Sequence, residues 1–163
     1  MNNEVILMES GMQFGPYPID NFFHIESSSS YKDIQKGVKI AEFLLFRQIK
    51  RPQILIIEAK TTAPREFEDY ICQICEKFTH TLILFTAIYL ERHKAIVPLP
   101  LQDIPLEQVE FLFVLVVKNY QKEWLPPLQD KLNLSLKPLL KTWNLSKVLV
   151  MNEEIAREKK LIS

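Results

Sequence analysis

Glycine is scarce in this chain, with three residues in 163. Phosphate-cradling loops and dinucleotide-binding turns need glycines at fixed spacing, so P-loop and Rossmann-type sites are disfavoured at the outset. Cysteine is scarcer still. Cys72 and Cys75 are the only two, too few for a disulfide framework and suited to a reducing cytoplasm, where we expect the protein. Net charge is also missing, because 20 basic residues balance 20 acidic ones. No global field therefore draws nucleic acid or an anionic membrane, and any polyanion must meet a local patch. Long hydrophobic runs are absent too. Thr81–Leu90 and Phe111–Val117 are the most apolar stretches, and both are too short to span a bilayer. The opening residues, MNNEVILMES, lack a basic region ahead of an apolar one, so we expect no signal peptide.

What remains is the balance of an ordinary globular protein, 47% hydrophobic and 25% charged. The length suits one domain. Residues 4–8 and 17–26 read as strands, with Gly11 and Gly15-Pro16 as turn signals between them. A helix is expected from Ser30, as N-cap, to about Gln48. Residues 53–60 read as a buried strand, and Arg65–Thr79 as an amphipathic helix. Thr81–Tyr89 fits either a strand or more of that helix. Glu110–Val117 reads as a second buried strand. Leucine-rich helices are expected after Pro126-Pro127, with Trp124 and Trp143 at core-like spacing. A short strand over Lys147–Met151 and a last helix capped by Asn152 complete the chain. Interspersed strands and helices predict an α/β fold, a mixed central sheet flanked by helices. Residues 121–163 form a C-terminal extension, helical with a short strand, packed on the core of residues 1–120.

The most informative stretch is "ILIIEAKTTAP", residues 54–64. Side chains alternate along a strand, so Ile54, Ile56, Glu58 and Lys60 share one face. A carboxylate and an ammonium thus end a strand that is otherwise apolar on both sides. Burying them is costly unless they find partners. Glu-x-Lys alone means little, and Glu158-Lys159-Lys160 repeats it in the charged terminal helix. The surroundings of Glu58-Ala59-Lys60 are what carry weight: an apolar strand before it, a turn and an amphipathic helix after it.

That arrangement resembles the PD-(D/E)xK nuclease superfamily over roughly residues 1–90. The resemblance implies a restriction-endonuclease-like fold and a metal-dependent nuclease hydrolysing phosphodiester bonds, most naturally in DNA. It implies Asp20, in Pro18-Ile19-Asp20, as the upstream acid, with Glu26 as its rival, and Glu42 as a further acid from the 31–50 helix. Asp20 and Glu58 would hold Mg²⁺ or Mn²⁺, with the Ala59 carbonyl as a further oxygen ligand. Lys60 would orient the attacking water or meet the transition-state charge. Lys32, Lys36, Lys39, Arg47 and Lys50 fall on one arc of the expected helix, beside Glu42, and are the candidate phosphate track. Such a stripe is ordinarily a solvated face. A chain of this length implies a homodimer or a subunit of a restriction, repair or anti-phage defence assembly. The alternative is a non-catalytic interaction subunit in which Glu58 and Lys60 form a strand-end salt bridge. Cys72 and Cys75 have metal-ligand spacing but no second ligand pair, and read as structural.

Overall fold

The computed structural model describes residues 3–163. A hairpin of β1 (Glu4–Glu9) and β2 (Met12–Pro18) comes first. After a 3-10 turn at Ile19–Asn21 come β3 (Phe22–Phe23), a second such turn at Ile25–Ser27, and the short α1 (Ser29–Ile34). Then follow β4 (Phe43–Gln48), β5 (Pro52–Lys60) and the long α2 (Glu68–Tyr89). One turn of helix, α3 (Leu99–Gln102), leads to β6 (Glu110–Val117). The chain closes with α4 (Leu125–Ser135), α5 (Lys137–Thr142), β7 (Leu149–Met151) and α6 (Glu153–Glu158).

The main sheet runs β3-β4-β5-β6-β7. β3, β4 and β5 are mutually antiparallel neighbours, whereas β6 lies parallel to β5 and β7 parallel to β6. Each parallel step needs a crossover, supplied by α2 for the first and by α4 and α5 for the second. The sheet separates two cores, and the alternation of β5 sorts its residues between them. Ile54 and Ile56 join the core under α2 and α4, with Phe78, Phe85, Phe113, Leu115 and Leu128. Leu55, Ile57 and Ala59 join the opposite core under β2 and α6, with Phe14, Phe43 and Val116. The mixed sheet flanked by helices therefore stands as expected from sequence. The C-terminal stretch does more than pack on the core. It adds β7 to the sheet, and Leu161 and Ile162 seal the second core against β2.

The helix expected over residues 31–50 is not there. α1 stops at Ile34, Gly37 takes a left-handed φ of 79°, and Phe43–Gln48 is a strand. The run Phe43-Leu44-Leu45-Phe46 is apolar without a period because it is buried on both faces of the sheet, a pattern shared by buried strand and buried helix. The N-cap also shifts. Ser28 Oγ accepts from Tyr31 N–H at 3.2 Å, while the buried Ser30 donates its hydroxyl to the Lys94 carbonyl at 2.8 Å. Thr81–Tyr89 continues α2, whose apolar stripe of Ile71, Ile74, Phe78, Leu82 and Phe85 keeps helical spacing throughout. Asn152 caps α6 as read, accepting from Ile155 N–H at 3.1 Å. Both tryptophans, expected in the core, stand at the surface and pack edge-on against Tyr120 and Phe111.

Candidate functional site

The alternation that sends Ile54 and Ile56 under α2 sends Glu58 there as well. Its side chain is 0% exposed, while Lys60, at the strand end, retains 30%. α2 supplies the partner that makes this burial tolerable. Lys77 lies on the buried stripe between Ile74 and Thr81, and its Nζ donates to Glu58 Oε1 at 2.7 Å. Lys60 Nζ reaches the same oxygen at 2.9 Å. Glu58 Oε2 is buried and finds no partner within the protein, nor does the Tyr70 hydroxyl, two turns before Lys77 on α2.

A second carboxyl group arrives from the neighbouring strand. Phe43 pairs with Ile57 in the antiparallel register, so Glu42, one residue before β4, lies beside Glu58 across the ladder. Its N–H donates to the Ile57 carbonyl at 3.1 Å. The preceding backbone is tied to α2. Ala41 N–H donates to Thr81 Oγ1 at 2.7 Å, and Thr81 Oγ1 donates to the Lys77 carbonyl at 2.6 Å. Glu42 is 6% exposed, and its Oε1 lies 3.6 Å from Lys77 Nζ. Glu26, on the turn after β3, lies close enough to Glu42 to raise its pKa.

The electrostatics follow from burial and crowding. Burial raises the Glu42 pKa, the neighbouring Glu26 and the Glu58 charge raise it further, and Lys77 pulls it back, leaving it at about 8. Burial and the crowding of acids thus favour the protonated form of Glu42. Burial also pushes Glu58 up, against the opposing pull of Lys77 and Lys60. For Lys77, burial works against the charge, but Glu58, Glu42 and Glu26 outweigh it and the ammonium is held above its ordinary pKa. Two ammonium groups share one Glu58 oxygen and offset part of the cost of burying it. Burial, then the Glu58 charge and Tyr120, hold the Tyr70 phenol well above its usual range, so Tyr70 stays a neutral donor.

The sequence-derived candidates divide. Glu58, Lys60 and Glu42 come together, although Glu42 stands at a strand edge and not on a helix. Asp20 does not join them. It is exposed on the 3-10 turn before β3 and lines a groove with Lys32, His24 and Pro98. Phe22 pairs with Leu45 and Phe23 with Leu44, so the β3 segment approaches Glu42 with its far end, the one that leads to Glu26, and Asp20 precedes the opposite end. Glu26, the rival, occupies the other end of the same segment and reaches the cluster. The Ala59 carbonyl accepts from Ser10 Oγ at 3.1 Å, under the hairpin. The basic arc dissolves with its helix. Arg47 donates to the Lys159 and Lys160 carbonyls, Lys39 pairs with Glu76 at 3.6 Å, and Lys50 sits in the β4–β5 turn at the far end of the sheet. Lys32 and Lys36 remain exposed near α1.

Lys77 and Tyr70 were missed. The available signal was a lysine on the apolar stripe of the helix that follows Glu-x-Lys, a position where a charge needs a buried partner. Cys72 and Cys75 are free, and burial, then Cys72, pushes the Cys75 thiol up to about 11, which suits a structural residue. No protein family model, curated protein or solved structure matches the chain. Chemically, the cluster offers three carboxyl groups and two ammonium groups at a strand end. It gathers buried charge of both signs, with Lys60 partly exposed at its mouth.

Proposed function

We propose that the chain is a metal-dependent nuclease of the PD-(D/E)xK type, hydrolysing phosphodiester bonds in DNA. The observation that carries this reading is the meeting of Glu42 with Glu58, with Glu26 beside Glu42 and Lys60 two residues on. The fold supports it. Three antiparallel neighbours ending in Glu-x-Lys, then a helix and a parallel strand, accord with a restriction-endonuclease-like core. A role as a homodimer or as a cytoplasmic subunit of a defence, restriction or repair system accords with the chain length.

The donor chemistry fits Mg²⁺ or Mn²⁺. The acids offer only oxygen ligands, which suit a hard cation, and Glu58 Oε2 is uncommitted within the protein. Among the described residues no three acids, histidines or cysteines are grouped as a ready cage. Glu58 and Glu42 would hold the ion, with Glu26 behind Glu42. When bound, it would polarise the phosphate and acidify a water. Lys60, partly exposed, would donate to a phosphate oxygen and meet the charge that grows there. Tyr70 would present a neutral hydroxyl beside Glu58.

One observation favours a second reading, a non-catalytic interaction subunit. Lys77 already compensates Glu58 and Glu42 with no metal, and the five cations once expected in one track are dispersed. Incubation with linear, circular and single-stranded DNA, and with RNA, in Mg²⁺, Mn²⁺ or EDTA tests the first reading. We expect cleavage of DNA with metal, none in EDTA, and none from Glu58→Gln. An inert wild type under all conditions would overturn the first.

A further inference from the structure

We infer that Lys77 is a built-in counter-ion occupying the divalent-cation position between Glu42 and Glu58, so that metal binds only when its ammonium withdraws. The inference deepens the nuclease reading and rests on it for the purpose of the metal. The geometry is that of a bridging cation. Lys77 Nζ lies 2.7 Å from Glu58 Oε1 and 3.6 Å from Glu42 Oε1. Lys60 does not duplicate it, since its ion pair is with Glu58.

The placement is built in by the backbone. Thr81 Oγ1 ties the Lys77 carbonyl to the Ala41 N–H, and Ala41 precedes Glu42. The stem of Lys77 therefore starts beside the acid it reaches. Charge then decides how the site can respond. A divalent ion added to a buried cluster that its own lysines already compensate gains little and must be desolvated. With Lys77 withdrawn, Glu42 and Glu58 lose the one cation that bridges them, and the position between their Oε1 atoms opens. Withdrawal is feasible because the Lys77 side chain is 17% exposed and a lysine has a flexible four-carbon stem. Loading of the site is thus coupled to the position of one side chain.

Lys77→Met keeps an unbranched apolar stem and removes the charge. Mn²⁺ affinity should be measured by calorimetry on the full chain with no nucleic acid present. We expect the variant to bind about tenfold or more tightly than wild type, the penalty expected if the ammonium holds the position some nine-tenths of the time. Mn²⁺ should also raise the variant's Tm more than it raises the wild type's. If Lys77→Met does not fold in EDTA, refolding with Mn²⁺ reads the same quantity: recovery supports the inference, and no recovery overturns it. The double variant Glu58→Gln, Lys77→Met removes the unpaired buried charge and should fold without responding to Mn²⁺. Equal or weaker Mn²⁺ binding by Lys77→Met overturns the inference. Cleavage by wild type alongside that result would leave the nuclease reading intact. Tight Mn²⁺ binding by the variant without any cleavage by wild type would sink the nuclease reading alone.

Discussion

Glu58 is a fully buried acid whose two lysine partners share one of its oxygens. The two partners differ in what they contribute. Lys60 is partly exposed and Lys77 remains when it is removed, so Lys60→Ala should cost about 1 kcal/mol or less in urea unfolding while abolishing metal-dependent cleavage. Unaltered cleavage by the purified variant would remove Lys60 from the site. Glu42 gives a pH signature. Its pKa rises from 4.5 to about 8 on folding, so the folded state binds the proton more tightly than the unfolded chain. Its contribution to stability is complete below about 4.5 and is lost as pH rises towards 8. In EDTA, wild-type stability should fall across that window, and Glu42→Gln should flatten the slope. Burial sets most of the shift, and Glu26, Glu58 and Lys77, which face the same group, adjust it. An equal slope in the variant would place the titration elsewhere. At this scale Glu58 and Lys60 were legible, because strand alternation alone puts them on one face. Lys77 was not, because a helical lysine is ordinarily solvated and only the tertiary structure shows which face it occupies.

At the scale of elements, α2 aligns the site. It covers β5, carries Lys77 and Tyr70, and through Thr81 fixes the backbone ahead of β4. Thr81→Val keeps the shape but leaves the Ala41 N–H without its acceptor. We expect a loss of about 1–3 kcal/mol, larger than a surface substitution gives, together with weaker Mn²⁺ binding as Glu42 shifts. Calorimetric unfolding and titration check both, and unchanged values would show that the tie to β4 is dispensable. β5 and β6 were readable because uninterrupted apolar runs of strand length follow turn signals. β4 was not, since Phe-Leu-Leu-Phe buried on both faces has no period to distinguish strand from helix. That one misreading produced both the helical setting of Glu42 and the basic arc. It also hid the proximity of Glu26, which depends on β3 pairing with β4.

At the scale of the molecule, a neutral chain with dispersed cations has little to attract a polyanion from a distance. We therefore expect few phosphate contacts and a shallow dependence of DNA affinity on salt, since each contact contributes about 0.9 to the log–log slope. Charge reversal at Lys36 and Lys39 should leave that slope nearly unchanged, because they do not lie along one track. A steep slope abolished by those substitutions would restore the discarded track. The α/β class and the flanking helices were legible from the alternation of apolar strands and amphipathic helices. The role of the C-terminal stretch was not, because its contribution of β7 and of Leu161 and Ile162 consists of long-range contacts. The central claim is that Glu58 anchors a metal-dependent phosphodiesterase site, and its most direct test is cleavage of end-labelled DNA by wild type and Glu58→Gln in Mn²⁺ and in EDTA. The account predicts products from wild type in Mn²⁺ alone. Equal cleavage by Glu58→Gln, or none by folded wild type with Mn²⁺, would contradict it.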